Sequence, residues 1–155
     1  MVYRPARITG MGCICAPGIN LSQCLRAIFE NTAPEPSLPQ RFAKQYVRNY
    51  PVFEVPSSFF EQNSWAGQHK FSLTARFVLA AVHEALDDAG YSVKELSSMR
   101  VGVCIGTTTG AALNFLSFYH AVKKGKNPSL TPIKRYLKSN PSLVIKEMLT
   151  LHGPC

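Results

Sequence analysis

A chain of 155 residues has room for one domain with a real core. Its residues are 46% hydrophobic and 17% charged, as in ordinary soluble globular proteins, and its longest uninterrupted apolar run, "FVLAAV", is far too short to span a membrane. Lys and Arg number 17 against 9 Asp and Glu, a formal net charge of +8, which fits either an acidic partner (nucleic acid, anionic lipid or an acidic protein) or one domain carrying the positive share of a larger protein.

The N-terminal "MVYRPARITG" carries charges with no apolar stretch behind them, so no leader is expected and the chain reads as cytoplasmic. Cysteines in that compartment stay reduced. Cys13 and Cys15 are two apart, with no histidine nearby, a spacing that fits no zinc pair. They are expected to be small buried thiols. Neither a metal nor a cofactor is expected.

The first element is a short buried strand over residues 7–15, "RITGMGCIC", with Gly10 and Gly12 on one side and Cys13 and Cys15 on the other. Two glycines weaken a strand, so another backbone must approach it closely. "APGIN" turns the chain into a helix capped by Asn20, with Gln23 at the capping-box position. Leu21, Cys24, Leu25, Ile28 and Phe29 form its apolar stripe. Residues 32–70 hold Pro34, Pro36, Pro39, Pro51 and Pro56, which leave room for little beyond a short strand near "VFEV". The aromatic residues Phe42, Tyr46, Tyr50, Phe53, Phe59, Phe60 and Trp65 call for burial, so this stretch is expected to be an ordered excursion over the core.

The clearest helix is 73–89, capped by Ser72 and ended by Gly90. Its apolar residues cover so much of the circumference that burial on more than one side is expected. Asp87 and Asp88 at its C-terminal end oppose the macrodipole, and His83 on its flank reads as a structural histidine. "RVGVCIG", 100–106, predicts a second buried strand. "TTTG" leads into a helix over about 111–123, and a last helix begins at Asn140 with Pro141 in its first position and stops at Gly153-Pro154. The order of elements predicts an α/β layered domain with a parallel sheet.

"GMGCIC" starts like a dinucleotide-binding fingerprint, but Cys15 occupies the third glycine position, and "GTTTG" lacks the Lys-Ser/Thr of a phosphate-binding loop. His69, His83, His120 and His152 are scattered and assemble no catalytic set from the sequence.

Four stretches in order resemble one family. "ITGMGCICAPGINLSQCLRAIFEN" is similar to the opening strand, turn and helix of the β-ketoacyl synthases, the condensing enzymes of fatty acid and polyketide synthesis. "AAVHEALDDAGY" resembles their long core helix, "RVGVCIGTTTG" their second strand and glycine-rich turn, and "NPSLVIKEMLTLHGP" the helix ending in Gly-Pro before their catalytic strand. The resemblance implies a thiolase-like fold, a layered α/β/α structure with a mostly parallel sheet, incomplete in this chain. It implies a Cys nucleophile that takes an acyl group from a thioester and two histidines that help decarboxylate a malonyl carrier protein.

The family's Cys lies about eight residues beyond Gly-Pro, at a strand-to-helix elbow. Carry-over therefore assigns no catalytic residue here: Cys155 stands too early, and residues 1–155 are expected to be an N-terminal portion, inactive alone. The turn of Thr107, Thr108, Thr109 and Gly110 matches the border of the family's acyl tunnel near its dimer partner, with Thr109 where an apolar gate residue is common. Ile133 and Lys134 match another tunnel wall, where Lys134 departs from the usual aromatic residue. Lys70, Lys124 and Lys126 are candidates for docking an acidic acyl carrier protein. The expected partners are that carrier and a second condensing-enzyme subunit, as homodimer or heterodimer.

Two other readings stand beside this one. A chain-length-factor type subunit without the nucleophile would share these motifs, and the residue about eight positions past Gly-Pro tells the two apart. A basic nucleic-acid-binding module would also explain the charge, but basic residues do not interleave with aromatic ones on one face.

Overall fold

The computed structural model describes residues 5–39, 50–62, 71–108, 115–131, 133–134 and 140–154. Its helices are α1 (Leu21–Phe29), α2 (Ser58–Gln62), α3 (Leu73–Ala89), α4 (Val93–Ser98), α5 (Leu116–Lys123) and α6 (Pro141–Met148).

α3 organises the molecule because its two faces carry different residues. One face presents Val78, Leu79, Val82 and Leu86 to a core formed with Leu96 of α4 and Ile145, Leu149 and Leu151 from α6 and the residues after it. Leu79 is 0% exposed, and burying a side chain of that size contributes about 1.5–3 kcal/mol. The other face presents Ala81, Ala85 and Ala89, which allow the first segment of the chain to lie directly on the helix. A side chain at Gly12 would strike the Ala81 carbonyl oxygen, and one at Gly10 would strike the Ala85 carbonyl oxygen and come within 2.8 Å of the Ala89 Cβ. Glycine is required at both positions by this approach of backbone to backbone. The helix and the segment run in opposite directions, since Gly12 meets the earlier alanine.

The carboxylates on the same face of α3 bind that segment. The Met11 amide donates to Asp88 Oδ2 at 2.9 Å and the Cys13 amide to Glu84 Oε2 at 2.9 Å. Asp88, a cost to the helix dipole when read along the sequence, thus gains a hydrogen bond in the fold. Residues 7–15 were expected to be a strand. In the structure the Met11 and Cys13 amides pair with side chains, and the bridge found there is a local one between Cys15 and Gly18. Residues 100–106 likewise carry no ladder, although their side chains keep the expected alternation: Val101, Val103 and Ile105 pack on the core while Gly102 and Cys104 are exposed. The "VFEV" strand is reduced to one bridge between Ser37 and Val52. Among the described residues the regular structure is therefore helical, with few paired strand residues.

Within the proline-rich excursion, α2 supplies the anchor. Phe59 is 0% exposed and meets the Phe60 ring edge-on at 5.1 Å and the Phe77 ring at 5.0 Å. The Arg76 guanidinium lies 5.1 Å from the centre of the Phe60 ring. The excursion is thereby tied to α3. Tyr50 and Phe53, expected to be buried, are exposed, and Phe42, Tyr46 and Trp65 lie outside the described residues.

The ends of α1, α3, α5 and α6 share one device. At Asn31, Gly90, Gly125 and Thr150 the backbone turns left-handed, with φ of 53°, 72°, 71° and 53°. In each case that residue's amide donates to the carbonyl three residues back, and the next amide to the carbonyl five back, as in Leu151 to Lys146 at 2.9 Å. Gly153-Pro154 was expected to stop the last helix. α6 ends earlier, at Met148, because Thr150 takes the left-handed turn and Leu151 folds back into the core.

Candidate functional site

Residues 101–103 lie against residues 153–154. The Val103 amide donates to the Pro154 carbonyl at 3.0 Å. Gly153 is buried against Val101, where an added Cβ would strike the Val101 carbonyl oxygen and sit 3.2 Å from the Gly102 nitrogen. The Gly-Pro pair is thus a packing requirement: the glycine admits the neighbouring backbone, and Pro154 presents its carbonyl to it. Leu151, buried in the core, fixes the register of this approach.

Thr107 and Thr108 come four and five residues after Val103 and are exposed. Thr109, Gly110 and Lys70 lie outside the described residues. Ile133 and Lys134 are helical, with the Lys134 amide donating to the Leu130 carbonyl at 3.0 Å; Ile133 is half-buried and Lys134 exposed. Lys124 and Lys126 flank Gly125 at the end of α5, and both are exposed. The left-handed turn at Gly125 is what brings these two lysines together. The threonines, the pair 133–134 and the two lysines stand on three separate elements.

A second constellation escaped the sequence reading. Cys24 Sγ lies 3.2 Å from Cys15 Sγ, and Cys13 Sγ lies 4.0 Å from Cys15 Sγ. All three sulfurs fall within 4.8 Å of one another. Two features bring them together. The Cys15 and Gly18 backbones bond to each other in both directions, at 3.0 and 3.2 Å, reversing the chain between the segment and α1. Glu84 then holds both sides of the turn, accepting from the Cys13 amide and, at 2.6 Å, from the Leu21 amide that opens α1. Burial pushes the Cys24 thiol up to about 12, helped by its sulfur neighbours, and burial likewise raises Cys13. At neutral pH these are neutral thiols rather than nucleophiles. The helical spacing of Cys24 gave no hint of this meeting, because it needs both the local Cys15–Gly18 turn and the distant Glu84 that ties the first segment to the start of α1.

α4 was also missed. Its signal is the Ser92-to-Glu95 spacing, a capping box in which Ser92 Oγ accepts from the Glu95 amide at 3.3 Å and Glu95 Oε2 accepts from the Ser92 amide at 2.8 Å. At α1 the expected box is shifted by one: Gln23 accepts from the Ile19 amide rather than from that of Asn20.

Residues 4–155 match the family described as beta-ketoacyl synthase, N-terminal domain. The chain belongs to the β-ketoacyl synthase family. A ketoacyl-synthase N-terminal domain implies a thiolase-like fold, and the match runs through both the Gly10/Gly12 packing on α3 and the Gly153 contact. Over 128 residues this ketoacyl-synthase chain is 26% identical to the 3-oxoacyl-[acyl-carrier-protein] synthase 2 of Vibrio harveyi, covering 83% of the chain and 31% of that protein. It therefore spans less than a third of the length of that curated relative. Among its described residues, no helix is long and apolar enough to cross a membrane.

Proposed function

We propose that this chain is the N-terminal portion of a condensing enzyme, a β-ketoacyl-acyl-carrier-protein synthase of fatty acid or polyketide synthesis acting in the cytoplasm. The family match over residues 4–155 carries the reading. The complete enzyme would form the layered α/β/α thiolase-like fold with a mostly parallel sheet, as a homodimer or heterodimer. In that fold residues 7–15 and 100–106 would find strand neighbours, and the proline-rich stretch 32–70 would remain an excursion over the core.

The chemistry proposed is acyl transfer from a carrier thioester to a Cys, then attack on the acyl group by the carbanion left when a malonyl carrier loses carbon dioxide. The nucleophile and its histidines lie beyond Cys155 in this reading, so the present residues position and bind. The pairing of Val103 with Pro154 supports a scaffolding role: it anchors the chain that leads toward the nucleophile. Thr107, Thr108, Thr109, Gly110, Ile133 and Lys134 are proposed to border the acyl tunnel. Lys70, Lys124 and Lys126 are proposed to dock the acidic carrier.

The decisive experiment uses the complete protein. A Cys about eight residues past Pro154 is expected, and replacing it with Ala should lower acyl transfer from a carrier thioester by at least about 10³-fold. A different residue at that position would assign the chain to a partner subunit without catalytic function, and transfer that survives the substitution would show that this Cys is not the nucleophile.

A further inference from the structure

The three-sulfur turn is neither part of the proposed acyl chemistry nor explained by packing alone. We propose that Cys13, Cys15 and Cys24 form a binding site for a thiophilic d10 metal ion, Cu(I) or Zn(II), held by three thiolates.

The geometry suits such an ion. Zinc–sulfur bonds of about 2.3 Å place thiolates about 3.8 Å apart around a tetrahedral centre. Here the sulfur separations are 3.2 and 4.0 Å, with all three atoms inside 4.8 Å. With the third separation no greater than 4.8 Å, shifts of about an ångström or less would equalise them. Soft sulfur donors select Cu(I) and zinc over hard cations. Three donors complete a trigonal Cu(I) site, whereas zinc would add a water as fourth ligand.

The site is also built in advance. Gly18 lets the turn press onto α1, since a Cβ there would sit 2.5 Å from Gln23 Cβ and 2.8 Å from the Cys24 nitrogen. Cys24 Sγ donates to the Gly18 carbonyl at 3.3 Å, a bond of the neutral thiol that metal binding would replace. Glu84 fixes the Cys13 and Leu21 backbones on the other side. Cys24 is 2% exposed, while Cys13 and Cys15 are half-buried and offer the way in. Binding exchanges bonds without redox change: three S–H bonds break, three metal–sulfur bonds form, and the three protons pass to buffer.

The test uses the complete protein, reduced and freed of metal under anaerobic conditions, then offered Cu(I) or Zn(II) against a competing chelator. The expected result is one ion per chain by native mass spectrometry, with Cys13, Cys15 and Cys24 protected from maleimide while exposed Cys104 is still labelled. Retention of Cu(I) with loss of three protons identifies the trigonal form, and retention of Zn(II) with a bound water the four-coordinate form. Cys13→Ser with Cys15→Ser should lower affinity by at least about 10²-fold, and Cys104→Ser should leave it unchanged. Because the wild-type labelling pattern needs no variant, a folding defect in the double mutant cannot decide the question. Labelling of the three cysteines unaffected by either ion would overturn the proposal.

Discussion

Thr150 is the outlier among the four left-handed helix ends. Glycine and asparagine tolerate that conformation, and they occupy the other three positions. A β-branched residue there costs on the order of 1–2 kcal/mol. Thr150 is exposed, so nothing packed is lost on its removal. Thr150→Gly should therefore stabilise the fold by about 0.5–1 kcal/mol, after allowing for the greater freedom of glycine in the unfolded chain. The midpoint of thermal unfolding should rise by about 1–4 °C. Asn31→Gly, at the matching end of α1, should change it far less. A lower midpoint for Thr150→Gly would show that its side chain holds the turn.

At the scale of the element, α4 rests on the Ser92–Glu95 box. Hydrogen bonds from the Ser92 hydroxyl and backbone hold the Glu95 carboxyl below its ordinary value of 4.5. A depressed carboxyl stabilises the folded state above the unfolded pKa and loses that contribution as pH falls through the folded one. Stability measured by urea unfolding should thus decline below pH 4.5, and Glu95→Gln should flatten that part of the acid limb. An unchanged acid limb in the variant would separate the box from the stability of α4. α3 shows how much of an element its sequence can carry: its ends at Ser72 and Gly90 and its double burial all follow from the residues. What could not be read was the purpose of the second face. "ALDDAG" looks like a helix end with misplaced charges until Gly10, Gly12, Met11 and Cys13 lie on it.

Across the whole molecule, charge and exposed apolar surface both point outward to partners. α1 leaves Ile28 61% and Phe29 83% exposed, so the later part of the predicted stripe faces solvent in this chain, while Cys24 of that stripe and Ala27 are buried. Lys124 and Lys126 sit where the end of α5 carries negative partial charge, which favours cations even without a partner. Charge reversal would therefore disturb the helix as well as any docking, and neutral Gln is the cleaner substitution. In the complete enzyme, Lys124→Gln with Lys126→Gln should raise KM for a carrier-bound substrate several-fold and spare kcat. The effect should shrink at high salt and vanish for a small thioester. Equal losses on both substrates would remove these lysines from carrier docking.

The sequence by itself determined what depends on neighbours within a few residues. The caps at Asn20, Ser72 and Asn140, the left-handed Gly90, and the two-residue alternation of 101–105 are all local, since each needs only a hydroxyl, an amide oxygen, a missing Cβ or a side-chain period. The four ordered motifs carried the family for the same reason. Tertiary structure decided whatever needed two distant stretches to meet. It set Glu84 between Cys13 and Leu21, laid two glycines on three alanines, and placed Gly153 against Val101. It moved the end of α6 from Gly153 to Met148, because burial of Leu151 outweighed the strain at Thr150. It also drew Cys24 onto Cys13 and Cys15, a meeting that no spacing in the sequence encodes.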